Sequence, residues 1–310
     1  MTDPRAAEAA SLWQGSVRRL IVARENAVHE MILPDGSRAA LRLHRAGYQD
    51  AAAIRSELWW CGELAAMGLP VPPPLPLPDG ALLATLPDGR HASALRWLDG
   101  IPIGAAGQPF PHPVARQIEL HHSLGGLLRK LHDASDALPT RPGGFTRPRW
   151  DIDGLVGEAP LWGRFWEHPA ASYAQLSALA AARAAVRGFL TRHAESGGDF
   201  GLIHADVLRE NILLSDQGLA LIDFDDSGFG FRLYDLGTVL SQNQYEPARD
   251  DLRDALMAGY GVQDIETIEI FTLSRVLASV GWTIPRLAPD DPIHARHLAR
   301  ADLVIRRVLG

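Results

Sequence analysis

A chain of 310 residues, 46% apolar and 22% charged, is long enough for two lobes around a cleft and ordinary for a soluble globular protein. Its net charge of −7 argues against a general nucleic-acid partner, which calls for a basic surface. The single cysteine, Cys61, excludes an intrachain disulfide, and no charge-free run reaches the roughly 18 to 20 apolar residues of a membrane span. The first residues have neither the charged start nor the apolar centre of a signal peptide, so the expectation is a cytoplasmic protein with no membrane partner. Lys130 is the only lysine, so the other 29 of the 30 basic residues are arginine. Any task that calls for a cation therefore falls to arginine.

Taken in order, the chain predicts strands over 17–24, 27–33 and 38–44, the second and third joined by the Pro34-Asp35-Gly36 turn. Ile54, Leu58, Cys61 and Leu64 recur at helical spacing and predict a helix over 51–67 that Gly68 stops. The proline-rich stretch that follows reads as a rigid loop. Two more strands are expected over 81–87 and 92–98, around the Pro87-Asp88-Gly89 turn. Residues 1–98 thus read as a small lobe, a five-stranded antiparallel sheet with one helix. Residues 99–310 read as a larger, mainly helical lobe, with helices over 114–134, 171–195, 235–242, 247–260, 265–281 and 292–309. The fold class is α+β, and Arg96-Trp97-Leu98-Asp99-Gly100 is the expected hinge.

The chemistry is concentrated in 202–237. Ile203 leads into His204-Ala205-Asp206, and Asn211 follows Asp206 by five positions. Leu219 to Ile222 reads as a short strand that delivers Asp223, with Asp225 and Asp226 behind it. Phosphoryl transfer needs one carboxylate to orient the attacking hydroxyl and accept its proton. It also needs an amide oxygen and a second carboxylate to hold Mg²⁺ against the phosphates.

That spacing resembles the H-x-D-x-x-x-x-N loop of kinases. The Ile-Asp-Phe-Asp-Asp segment, 222–226, is most similar to the aminoglycoside phosphotransferase and choline kinase branch of the kinase-like superfamily. The resemblance implies a bilobal protein-kinase-like fold and a reaction that uses ATP and Mg²⁺. It makes Asp206 the base, and Asn211 and Asp223 metal ligands, with Asp225 either in the metal site or bonded to the loop backbone. Arg209, within the loop, either compensates transferring charge or forms an ion pair. Arg42 stands on the third strand where the family often has lysine, so it would bind the nucleotide's phosphates with Glu57 as its acidic partner. The phosphate-covering turn falls at Arg24 to Ala27 and has no glycine, a departure from protein kinases, with Asn26 its turn residue. Trp97 and Leu98 of the hinge are assigned to the nucleotide site. Asp235 reads as a helix N-cap that braces the loop, His204 and His132 as structural histidines, and Lys130 as a surface residue.

Segment 143–169 carries Trp150, Trp162, Phe165 and Trp166, which either wall a substrate pocket or cover the core. Its carboxylates, Asp151, Asp153, Glu158 and Glu167, would suit an amine-bearing alcohol such as an amino alcohol or aminoglycoside. The expected partner is a small-molecule hydroxyl substrate. Residues 25–45 also resemble bacterial stress-response kinases, which keeps a protein Ser/Thr acceptor open. An inactive nucleotide-binding module stays open as well, as does a metal-dependent hydrolase built on His204, Asp206 and Asp223.

Overall fold

The computed structural model describes residues 3–23, 26–141 and 143–310. The chain divides into two compact units. The first is Met1–Ile101 with Ala137–Arg147 and Leu213–Asp225, and the second is Pro102–Asp136, Pro148–Ile212 and Asp226–Gly310. A single cut after residue 98 therefore leaves out two later segments that join the first unit.

The first unit opens with helix α1 (Pro4–Leu12), which the sequence reading had not placed. Asp3 caps it by accepting from the Arg5 amide at 3.0 Å. Strands β1 (Ser16–Ala23), β2 (Ala27–Ile32) and β3 (Arg38–Leu43) follow. Helix α2 (Ala51–Ala66) leads to β4 (Pro74–Leu75), β5 (Ala84–Thr85) and β6 (His91–Arg96). The sheet has six strands in the order β1-β2-β3-β6-β4, with β5 also paired to β6, and every pairing is antiparallel. The sixth strand is β4, in the proline-rich stretch read as loop. Proline lacks the N–H of a ladder and is tolerated there because β4 lies at the sheet edge.

Alternation along β3 decides what each residue meets. Ala39, Leu41 and Leu43 join a core with Ala6, Ala9, Ala10 and Trp13 beneath α1. Ala40 packs with Ile54 and Leu58 of α2, so Arg42, two positions on, points to the α2 side as well. Asp50 caps α2 through the Ala53 amide at 2.7 Å, and Gly68, at φ +84°, follows its end. Cys61 is buried in this helix, as a small apolar filler would be.

The second unit is mainly helical: α3 (Val114–Asp136), α4 (Ile152–Val156), α5 (Tyr173–Glu195), α6 (Leu233–Ser241), α7 (Arg249–Tyr260), α8 (Ile265–Thr283) and α9 (Pro292–Leu309). The six long helices lie within two residues of their expected ends. Strand Gly228–Phe231 pairs antiparallel with Phe200–Ile203 and parallel with Arg149–Trp150. The core gathers Trp150, Trp162, Phe165, Tyr234, Phe271 and Val276. Helices α6 and α8 touch because Gly237 has no side chain, since a Cβ there would lie 2.5 Å from the Phe271 carbonyl carbon. Among the described residues, no helix is long and apolar enough to cross a membrane.

Burial leaves three histidines far below the ordinary imidazole value. His44 falls to about 3, through burial and then the Arg42 charge. His121 falls to about 4 through burial, and His297 to about 3 through burial and the nearby Arg300 and Arg275 charges. The folded state holds them neutral, whereas the unfolded chain protonates them below about pH 6.5. Stability is thus present above that pH and lost as pH falls toward 4, with a slope of about 1.4 kcal/mol per pH unit for each histidine. Denaturant unfolding between pH 7 and 4.5 is expected to lose this stability, and His44→Gln is expected to flatten the slope by one histidine's share. An unchanged slope in the variant would count against a neutral, buried His44.

Candidate active site

In the first unit Arg42 meets three carboxylates. Its Nη1 donates to Glu57 Oε1 at 2.6 Å and lies 3.9 Å from Asp225 Oδ1, and its Nη2 donates to Asp223 Oδ1 at 3.3 Å. Arg42 and Glu57 are both buried, while the Asp223 side chain is 50% exposed. Burial alone would depress the Arg42 guanidinium, but Glu57, Asp223 and Asp225 outweigh it and hold it above its ordinary value. Burial works the other way on Glu57, and there Arg42 and Arg147 prevail and lower it. Asp225 is pushed up to about 7, by burial and then by the Glu57 charge.

Arg147, to which the sequence reading gave no role, completes this network. It lies 3.7 Å from Glu57 Oε2 and donates to the backbone carbonyls of Ala53, Phe224 and Asp225. No residue spacing announced it, because it stands in an irregular loop. Two guanidiniums face three carboxyl groups, which leaves one net negative charge once Asp225 is ionised. Asp225 Oδ1 is also buried without a hydrogen-bond partner. A half-exposed carboxylate beside such an oxygen is a donor set that suits a hard divalent cation. Asp223 sits at φ +65°, a left-handed conformation that is costly for a residue with a side chain. It is anchored by Phe224, whose ring meets Trp60 edge-on at 5.3 Å.

The other expected nucleotide residues also lie in this unit. Asn26 Oδ1 accepts from the Arg45 amide at 2.9 Å, tying the turn before β2 to the chain after β3. The remainder of that turn, Arg24 and Glu25, lies outside the described residues. Trp97 is half-buried under the Arg38 guanidinium, 4.3 Å from its ring centre, and Leu98 is half-buried beside it.

In the second unit Asp206 is held from two sides. Asn211 Nδ2 donates to its Oδ2 and to its backbone carbonyl, each at 2.9 Å, and Arg275 Nη2 donates to its Oδ1 at 2.8 Å. With its amide nitrogen so engaged, Asn211 turns its amide oxygen away from Asp206, free to serve a cation. Arg275 comes from α8 and is itself buried, 4.4 Å from the Trp162 ring centre. It lies 69 positions from Asp206, beyond the reach of any local motif.

Asp235 shapes the loop. Its Oδ1 accepts from the Ala205 amide at 2.7 Å, and its Oδ2 accepts from the His204 amide at 2.9 Å and meets His132 Nε2 at 3.1 Å. This holds Ala205 at φ +65°, directly before Asp206. The brace was expected; the N-cap was not correct, because Asp235 stands inside the first turn of α6 and Arg232 is the capping position. His204 bonds the Asp206 amide through Nδ1 at 3.3 Å, and His132 bonds the Tyr260 hydroxyl at 2.9 Å, so both are structural. Asp235→Ala strips two buried amides of their acceptor, at a cost of about 1–3 kcal/mol each. Chemical denaturation is expected to register that loss together with a fall in turnover; an unchanged unfolding midpoint would refute the brace.

Arg209 does not fit a role in charge compensation. It is buried and donates to Gln108 O, Asn243 Oδ1 and Glu246 Oε1 at 3.0, 2.8 and 2.8 Å, and it stacks 4.5 Å from the Phe110 ring centre. Its charge is already answered, and its work is to hold the loop. For the aromatic residues of the 143–169 segment, the structure takes the second of the two readings, cover for the core. Trp150, Trp162 and Phe165 are core residues. Its carboxylates are paired with arginines: Asp151 with Arg149, Asp153 with Arg187, Glu158 with Arg183 and Arg164, and Glu167 with Arg164. They do not make an acidic pocket for an amine. Among the described residues, no group of three His, Cys, Asp or Glu side chains is placed to hold a metal as a hydrolase cluster would. Lys130 is exposed.

Comparison with known proteins places the chain in a family. The family model described as "Phosphotransferase enzyme family" matches residues 17–271. An uncharacterized protein of Deinococcus radiodurans is 30% identical over 263 residues, 81% of this chain and 72% of its own. The homoserine kinase of Sinorhizobium fredii is 31% identical over 186 residues, 59% of this chain, and the match spans half of that protein's length. Among solved structures, a microcompartment-associated aminopropanol kinase superposes with a TM-score of 0.81 at 25% identity, over 97% of this chain and 94% of its own. The fold is thus the kinase-like one expected from the catalytic segment. With that family model matched over residues 17–271, most of its length, the chain belongs to the phosphotransferase enzyme family.

Proposed function

We propose that the protein transfers the γ-phosphate of Mg·ATP to a hydroxyl of a small metabolite. The observation that carries this is Asp206, a carboxylate on a strained loop with both oxygens oriented by neighbouring donors. Such a group is placed to take the proton of an attacking hydroxyl while the alcohol is held in line. Arg42, steadied by Glu57, supplies a fixed planar cation for phosphate oxygens, which arginine pairs with as well as lysine does. In the first unit Asp223, with Asp225 behind it, would serve as a ligand of the divalent cation. When bound, the cation neutralises charge on the transferring phosphate.

Support for a small acceptor comes from relatives whose names are kinases of homoserine, amicoumacin and aminopropanol. Labelled γ-phosphate from Mg·ATP, supplied to a cell extract with Asp206→Asn protein as the blank, tests the proposal. Label in the metabolite fraction is the expected result. Label confined to protein would make the acceptor a Ser/Thr side chain, and label in neither would favour an inactive nucleotide-binding module.

A further inference from the structure

The base Asp206 is not alone on its side of the second unit. Arg275, which grips it, lies one helical turn before Ser279 on α8, and the two share a face. From α9, Arg300 reaches that same face. Its Nη2 donates to Ser279 Oγ at 2.9 Å and approaches His297 Nδ1 at 3.2 Å. His297 Nδ1 lies 3.1 Å from the same hydroxyl. A helical turn is about 5.4 Å, so Arg300 is anchored one turn along α8 from Arg275, near enough to feel its charge.

The charges do not balance. Arg275 has Asp206 as its carboxylate. Among the described residues no carboxylate lies within ion-pairing distance of Arg300, which makes do with a hydroxyl and an imidazole. The Nε of Arg275 and that of Arg300 are both buried without a partner. Burial, and then repulsion from Arg275, lower Arg300 to about 10, and the same pair of arginines helps keep His297 neutral. Two neighbouring cations, Arg275 buried and Arg300 partly so, with one counter-charge between them are costly unless an anion arrives to answer them. In a transferase whose acceptor hydroxyl must come to Asp206, the molecule that arrives is the acceptor.

We propose that the acceptor carries a carboxylate beside its hydroxyl, and that Arg300, with Arg275, recognises it. This rests on the proposed function and narrows it to hydroxy acids and hydroxy amino acids. The guanidinium fork pairs bidentately with a carboxylate or a phosphate, so a phosphate-bearing acceptor is the rival that the test must separate. A carboxylate on the acceptor explains why the acidic residues of 143–169 need not serve an amine, since the recognised charge is of the opposite sign.

The test uses the full chain with Mg·ATP and matched acceptors: serine with ethanolamine, threonine with 1-aminopropan-2-ol, homoserine with 3-aminopropan-1-ol, and glycerate with glycerol and glycerol 3-phosphate. The expected result is a kcat/KM about tenfold or more higher for the carboxylate-bearing member of the accepted set. Arg300→Gln is expected to raise KM for that member by a similar factor and leave KM for ATP unchanged, and Arg300→Lys to recover part of the loss. If Arg300→Gln fails to fold, Arg300→Lys alone still reads the change in KM. Equal or better use of the decarboxylated member, or a preference for glycerol 3-phosphate, overturns the inference and leaves the proposed function standing. Should none of these compounds be accepted, mass spectrometry of the labelled extract products decides: a product without a carboxylate overturns the inference. Extract metabolites free of label overturn the proposed function itself.

Discussion

Asp206→Asn is expected to lower kcat by about 10²- to 10⁴-fold, the range that a positioned proton acceptor contributes. The substitution keeps the shape of the side chain and removes its charge and its basicity. Asn211 can still donate to the remaining oxygen, so the loop keeps its form. Arg275 loses the one carboxylate partner it has among the described residues, and some loss of stability is expected with it, because a buried cation is then left less well answered. Nucleotide affinity is expected to stay near that of the native protein, because the proposed phosphate-binding Arg42 lies in the first unit. Single-turnover kinetics with a calorimetric Kd for Mg·ATP separate these effects. A variant whose kcat stays within tenfold of the native value would remove Asp206 from the role of base.

Arg42→Met should have the second large effect, on folding and nucleotide binding together. The methionine keeps the stem and deletes the charge, leaving Glu57, Asp223 and Asp225 against Arg147 alone. Breaking a buried pair in this way costs about 3–5 kcal/mol. Affinity for Mg·ATP is expected to weaken about tenfold or more, since a charge-assisted contact to phosphate is lost. Arg42→Lys separates the two effects. It restores a cation opposite Glu57, so most of the stability should return, whereas the single ammonium replaces a planar fork and affinity should recover only in part. An unchanged nucleotide Kd in both variants would confine Arg42 to a structural role.

The two halves of the chemistry were legible to different degrees. Asp206 with Asn211, and Asp223 with Asp225, are close in sequence, so spacing alone exposes them. Arg42 and Glu57 needed one inference more, that a strand residue of the right parity faces the following helix, and their 2.6 Å contact follows from that parity. Arg147, Arg275 and Arg300 carry no such signal. Each comes from a distant part of the chain, and an arginine among 29 stands out only when its neighbours are known.

Periodicity therefore determined a good deal unaided. The long helices, the first three strands, the buried Cys61 and the segment that carries the proposed base are all written in apolar spacing and in short motifs, which depend on residues a few positions apart. The tertiary structure decided the rest. It turned Arg209 and the aromatic residues of 143–169 to structural work and paired the carboxylates of that segment with arginines. Through Asp235 and the Trp60–Phe224 contact it also holds Ala205 and Asp223 in left-handed conformations. The physical reason is that burial and pairing are set by which distant residues meet. A charged side chain reads the same in sequence whether it awaits a substrate or has already found its partner.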